Sequence, residues 1–226
     1  MDAKQRWRAL TANEVYVGPR TTRLIAALLL VFGAVAAIGG LGYAIDGATQ
    51  APATVSVPVG IEEWPGSGHS GPVYVEVDGV ELPDRTSLRS VGDGLVLVDD
   101  TGASRWIGFL ARGDAALGGL AVGLCAVLLA PVVRSIAVGE PFRRGNAARI
   151  GGTAGTVLIA GLFAPVLPEI AGLAVLDDLG LGVADDPFVL GFGVDLAPIA
   201  FSALLFVVAE AFRRGTQIAD DAAGLV

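Results

Sequence analysis

Four stretches of the chain are apolar for long enough to cross a bilayer: Leu24–Ile45, Ala115–Ile136, Ile150–Ile170 and Phe188–Phe212. A crossing needs about 20 predominantly apolar residues at ~1.5 Å of rise each. Between the first two stretches the pattern changes from continuous to alternating. Val55, Val57 and Val59 alternate with small or polar residues, as do Val73, Val75 and Val77. Asp78-Gly79 is a two-residue hairpin signal, followed by Val80 and Leu82. A second pair of strands is expected at Leu95–Val98 and Arg105–Leu110, flanking a turn at Asp99-Asp100-Thr101-Gly102. The stretch from Trp64 to Gly71, rich in Gly and Ser, reads as a loop. The predicted fold is an integral-membrane α-helical bundle of four transmembrane helices. A small extracytoplasmic antiparallel β insertion of four to six strands lies between helices 1 and 2.

Composition agrees with a membrane chain: 53% of the 226 residues are hydrophobic and 17% charged. Charge then sets an expected orientation. Lys4, Arg6, Arg8, Arg20, Arg23, Arg134, Arg143, Arg144, Arg149, Arg213 and Arg214 all fall on one side of the four predicted spans. The positive-inside rule makes that side the cytoplasm. The opposite side receives Arg85, Arg89, Arg105 and Arg112 among most of the acids. The expected layout is a cytoplasmic basic leader (1–23), span 1 (24–45), an extracytoplasmic β-rich segment (46–114) and span 2 (115–136). A cytoplasmic loop (137–149), span 3 (150–170), an acidic outer loop (171–187), span 4 (188–212) and a cytoplasmic tail (213–226) follow. Both termini are expected inside. Ala34-Val35-Ala36 imitates a cleavage site, but the apolar run continues well beyond it, so an uncleaved first helix is expected. The single cysteine, Cys125, excludes an intrachain disulfide.

One local pattern occurs twice. Gly-Glu-Pro-Phe-Arg-Arg-Gly at Gly139–Gly145 follows span 2, and Ala-Glu-Ala-Phe-Arg-Arg-Gly at Ala209–Gly215 closes span 4. Phe142, Arg143, Arg144, Gly145, Phe212, Arg213, Arg214 and Gly215 are therefore candidates for a cytoplasmic patch that binds lipid phosphate or an acidic partner. The alternative is a helix terminus repeated twice: Glu210 stands three and four residues before two arginines, and Gly215 can adopt a left-handed stop. In the first copy Pro141 requires an extended Glu140, so a loop is expected whose Phe142 turns back towards the bilayer. Small pairs, Gly119 with Gly123 and Gly151 with Gly155, predict close helix packing.

Asp195 is the candidate intramembrane acid. A helix starting near Phe188 carries it inward, where an unpaired carboxylate is costly and marks function. The competing reading is an N-cap at the interface, with Gly191 and Gly193 preventing helix before it. Glu169 is expected at the outer interface, where Pro165 and Pro168 loosen the helix end. The aspartates at 177, 178, 185 and 186 fit no calcium-loop spacing, and no metal site is assigned. With one histidine and no Gly-rich phosphate loop after a strand, no catalytic residue or cofactor is assigned, and an enzyme is the least favoured class.

Gly-Glu-Pro-Phe-Arg-Arg-Gly-Asn-Ala-Ala-Arg-Ile, together with the closing Glu-Ala-Phe-Arg-Arg-Gly stretch, resembles the bacterial family catalogued as domain of unknown function 2975. That resemblance implies a four-span inner-membrane protein with no established enzyme activity. It also implies a possible small helix-turn-helix regulator as cytoplasmic partner, which would itself hold any DNA. In the closing Asp220-Asp221-Ala222-Ala223-Gly224-Leu225-Val226 an alanine stands where many relatives have an acid. The expected function is a non-catalytic sensor or membrane tether in contact with membrane lipids, with a homo-oligomer as a further expectation. The alternative is a small oligomeric transporter or channel subunit using Asp195.

Overall fold

The computed structural model describes residues 19–50, 53–61, 73–74, 76, 82–91, 94–181, 188–189 and 195–223. The leader up to residue 18, the loop from Trp64 to Gly71 and the Asp78-Gly79 hairpin lie outside the described residues. The chain is mostly helical, with six helices and a small antiparallel sheet among those residues. Helix α1 is Pro19–Thr49, α2 Arg105–Ala111, α3 Gly113–Ala137, α4 Asn146–Phe163, α5 Val166–Asp178 and α6 Ala197–Ala223. Strands are β1 Ala53–Ile61, β2 Val73–Tyr74, β3 Thr86–Val91, β4 Gly94–Ala103 and β5 Phe188–Val189.

Three helical stretches are long and apolar enough to cross a membrane: Arg20–Thr49, Gly113–Ala137 and Asn146–Asp178. The last is α4 and α5 together, with a break at Ala164-Pro165, where the proline nitrogen has no hydrogen to donate. The fourth helix differs from the expectation. It begins at Ala197 rather than near Phe188, because Phe188 and Val189 pair with Ile61 and Gly60 as an edge strand. Its apolar part, Ala197 to Ala209, is about 20 Å long at 1.5 Å per residue. By length and composition α6 is therefore not among the helices that qualify to cross a membrane.

The sheet order is β2-β3-β4-β1-β5, all antiparallel, with three long strands at its centre and a two-residue strand at each edge. One face is apolar by the period of two. Val55, Val57, Val59, Leu88, Leu95 and Leu97 are buried, while Thr54 and Ser56 face outward. That face packs on Ile107 and Leu110 of α2 and on Ala171, Val175 and Leu176 of α5. So α5 occupies the first half of what the sequence suggested was an acidic loop, and with α2 it forms the floor of the sheet. The expected turn at Asp99–Gly102 and strand at Arg105–Leu110 are also corrected. Asp99 pairs across the ladder with both Val55 and Thr86, and Asp100 accepts a 2.7 Å hydrogen bond from Thr54. Strand β4 therefore runs through to Ala103, and Ser104 then caps α2, its Oγ accepting from the Ile107 amide at 3.4 Å.

Among the helices, α1 lies along α3, α3 along α4, and α4 along α6. Gly33, Gly40 and Gly47 of α1 fall seven residues apart on one stripe. A Cβ on any of them would run into Ala126, the Ala115 carbonyl or the Gly108 carbonyl respectively. Gly119 and Gly123 answer them from α3. The second small pair behaves otherwise: Gly151 has only Ala209 at contact distance and Gly155 has no neighbour within 4 Å.

Candidate functional site

The two copies of the repeated motif come together at the end of the bundle away from the sheet. Two left-handed glycines bracket the first copy. Gly139 (φ +79°) ends α3 and Gly145 (φ +94°) starts α4, and an L side chain at either would be strained. The connection between them is held from below by a buried polar network. Asn146, with no exposed surface, donates to Ser135 Oγ at 2.6 Å and to the Pro141 carbonyl at 2.9 Å. Its Oδ1 accepts from Arg149 at 3.3 Å. Ser135, also buried, donates to the Val132 carbonyl, and its own carbonyl accepts from the Glu140 amide at 2.9 Å. Neither residue was singled out from the sequence, although Asn146 is one of only two asparagines in the chain and directly follows the motif.

Thus anchored, the loop turns Phe142 onto α6. Its ring lies 5.6 Å from that of Phe212, tilted by 57°, and covers Gly215, where a Cβ would collide with it. Thr216 Oγ lies 2.9 Å from the carbonyls of both Phe142 and Phe212. The expected helix stop at Gly215 is therefore corrected. Gly215 is small to admit the Phe142 ring, and α6 continues two more turns to Ala223. Arg144 reaches across to Asp220 in that extension at 3.1 Å.

Glu210 is clasped by both arginines of its own copy. Arg213 binds it in bidentate fashion at 2.6 and 2.7 Å, and Arg214 adds a 2.8 Å contact. Hydrogen bonds from Arg213 first, then Arg214, lower the Glu210 pKa to about 2. The folded value lies below the unfolded one, so the linkage favours the folded state at neutral pH and vanishes as pH falls through about 2. Because these groups are exposed, the effect appears in titration rather than in stability. A carboxylate-resolved titration of wild type should give a Glu210 midpoint near 2, and Arg213→Gln should raise it towards the ordinary carboxylate range. A wild-type midpoint already in that range would contradict the triple. Arg143 makes no ion pair among the described residues.

Between the first turn of α4 and the facing side of α6 lies an open groove of about 550 Å³. Ala147, Ala148, Phe206 and Ala209 form its apolar floor, and Arg144 and Arg213, one from each motif copy, stand at its edge beside Glu210. Of the eight residues predicted for the patch, Arg144, Gly145 and Arg213 line the groove. Phe142, Phe212 and Gly215 build the contact behind it, and Arg143 and Arg214 are exposed.

Asp195 sits elsewhere. It is exposed, ahead of α6, and its Oδ1 accepts from the Ala197 amide at 2.8 Å. Its carboxylate thereby satisfies the first amide of α6, one of the donors that a helix start leaves unpaired. Glu169 is half-buried in the first turn of α5, its Oε2 without a hydrogen-bond partner among the described residues.

Compared with known proteins, the chain matches no family model, no curated sequence and no solved structure. The resemblance to the four-span family therefore carries no site residue into this geometry.

Proposed function

We propose that this is a non-catalytic, multi-pass protein of the bacterial inner membrane, a sensor or tether linking an extracytoplasmic sheet domain to a cytoplasmic partner. The observation that carries the reading is the continuity of α5 and α4. The first is built into the core beneath the sheet, and the second begins at the motif loop, so one jointed element joins the two ends. In this reading the chain crosses four times with both termini inside. Its fourth crossing is the apolar part of α6, which runs antiparallel to α4 with Pro198 against Gly161 and Ala209 beside Gly151. Phe201, Leu204 and Val207 on that helix are more than 60% exposed, which suits lipid contact. Trp106, 66% exposed on α2, and Tyr43 suit the outer headgroup level.

The partner surface is the end of α6 beyond Ala209, with Arg143 and Arg214 facing outward and Ile218 69% exposed. The family context suggests a small helix-turn-helix regulator as the partner. A photo-crosslinker placed at Ile218 in cells should capture one cytoplasmic protein. Arg143→Gln with Arg214→Gln should cut that capture severalfold without changing membrane insertion. Absence of any specific crosslinked cytoplasmic protein in wild type would sink the tether reading. The Asp195 carboxylate, which accepts the Ala197 amide ahead of α6, lends the transporter reading no support.

A further inference from the structure

We infer that the groove between α4 and α6 is a binding site for one anionic phospholipid, gripped by its phosphate between Arg144 and Arg213. This inference rests on the membrane placement proposed above but not on any cytoplasmic partner. Three features of the groove converge on that ligand.

The first is its mixed chemistry. An apolar floor of Ala147, Ala148, Phe206 and Ala209 adjoins two guanidinium groups, the arrangement an acyl chain root and a phosphate require together. A free phosphate has no use for the floor, and an acidic peptide has little use for a strip that continues into the exposed apolar side of α6 at Phe206.

The second is donor capacity. Arg144 uses Nε and Nη2 on Asp220, and Arg213 uses Nε and Nη2 on Glu210. A guanidinium carries five N–H donors, so among the described residues each retains its Nη1 end for phosphate oxygens. The carboxylates hold the two forks in place without exhausting them. Charge also favours an anion. Across residues 134–149 and 210–223 there are six arginines against four carboxylates. The first turn of α4, which Gly145 leaves without a side-chain cap, adds its positive dipole end.

The third is position. Ala209 is the last residue of the apolar part of α6, and Glu210, Arg213 and Arg144 line the groove beyond it. The groove thus opens where phosphate and glycerol lie, and the lipid tail follows Phe206 into the hydrocarbon. The repeat gains a reason here. Each copy supplies one arginine of the clasp and one phenylalanine of the Phe142–Phe212 contact that fixes the two halves together.

The test is native mass spectrometry of the full chain released from nanodiscs made with equal phosphatidylglycerol and phosphatidylcholine. Wild type should retain one phosphatidylglycerol per chain. Arg144→Gln with Arg213→Gln should lower its retention by roughly 25-fold, about fivefold for each charge lost at a membrane surface. Ala148→Trp, which fills the groove and leaves every charge, should lower it comparably. Paired Lys substitutions serve as the folded control if the Gln pair fails to fold, and should retain most of the preference. Equal retention of the two lipids in wild type, or unchanged retention in Ala148→Trp, would overturn the site. Displacement of the lipid by inorganic phosphate alone would reassign the groove to free phosphate. Displacement by an acidic peptide would reassign it to a protein ligand. Loss of the Ile218 crosslink with lipid retention intact would affect only the tether reading.

Discussion

Gly40→Leu should unfold the membrane-type part of this protein at detergent and temperature conditions that wild type tolerates. The new Cβ would meet the backbone carbonyl of Ala115, and no rotamer of the leucine removes that collision. Because the obstacle is main chain, α1 and α3 must separate along their length. Overpacking costs typically 1–3 kcal/mol where side chains can yield, and here roughly the top of that range or more is expected. Gly39→Leu and Gly42→Leu are the internal controls. They lie on the same helix with nothing within 4 Å, so both should stay within about 0.5 kcal/mol of wild type. Thermal unfolding followed by tryptophan fluorescence distinguishes the three. Equal losses at all three positions would show that the stripe at Gly33, Gly40 and Gly47 is not the contact.

Asn146→Asp is expected to release the motif loop although the side chain keeps its shape. Aspartate places an acceptor opposite the Pro141 carbonyl, itself an acceptor, and removes the donor to Ser135. Leaving a buried group unpaired costs about 1–3 kcal/mol. Phe142 hangs from this loop, so its packing on Gly215 and Phe212 should loosen with it. Amide exchange over residues 139–145 should accelerate by roughly 5- to 160-fold for that range of energies. The sheet strands should exchange as in wild type. Retained protection in Asn146→Asp would mean that the amide donor is not what holds the loop.

The helices and the alternating valines of β1 were readable because each period exceeds the local noise: three consecutive buried valines, and runs of more than 20 apolar residues. What escaped was set by tertiary pairing. Asp99-Asp100-Thr101-Gly102 has turn composition, yet pairing with Val55 and Thr86 and the bond from Thr54 draw it into a strand. Phe188 begins an apolar run, yet β1 takes it as an edge. At the candidate site, residue types and convergence were legible in the repeat, and Gly119 with Gly123 marked a real contact. The heptad of glycines in α1 was present and unread, and the Ser135–Asn146 network left only the faint signal of one rare amide. Gly215 misled, because glycine serves a tight ring contact as readily as a helix stop.

The core beneath the sheet joins Val55 to Leu181, 126 residues further along the chain. That span has a consequence for synthesis. When Ala103 has left the ribosome the three long strands exist, but α5 and Leu181, which close their apolar face, are 78 residues away. At about 5–20 residues per second this is a wait of roughly 4–16 s. Throughout it Val57, Leu88 and Leu97 have only α2 to cover them. Two further helical segments, α3 and α4, must be threaded before the missing piece arrives. This protein is therefore most vulnerable to proteolysis and to pairing with a stranger's strand between the emergence of Ala103 and that of Leu181.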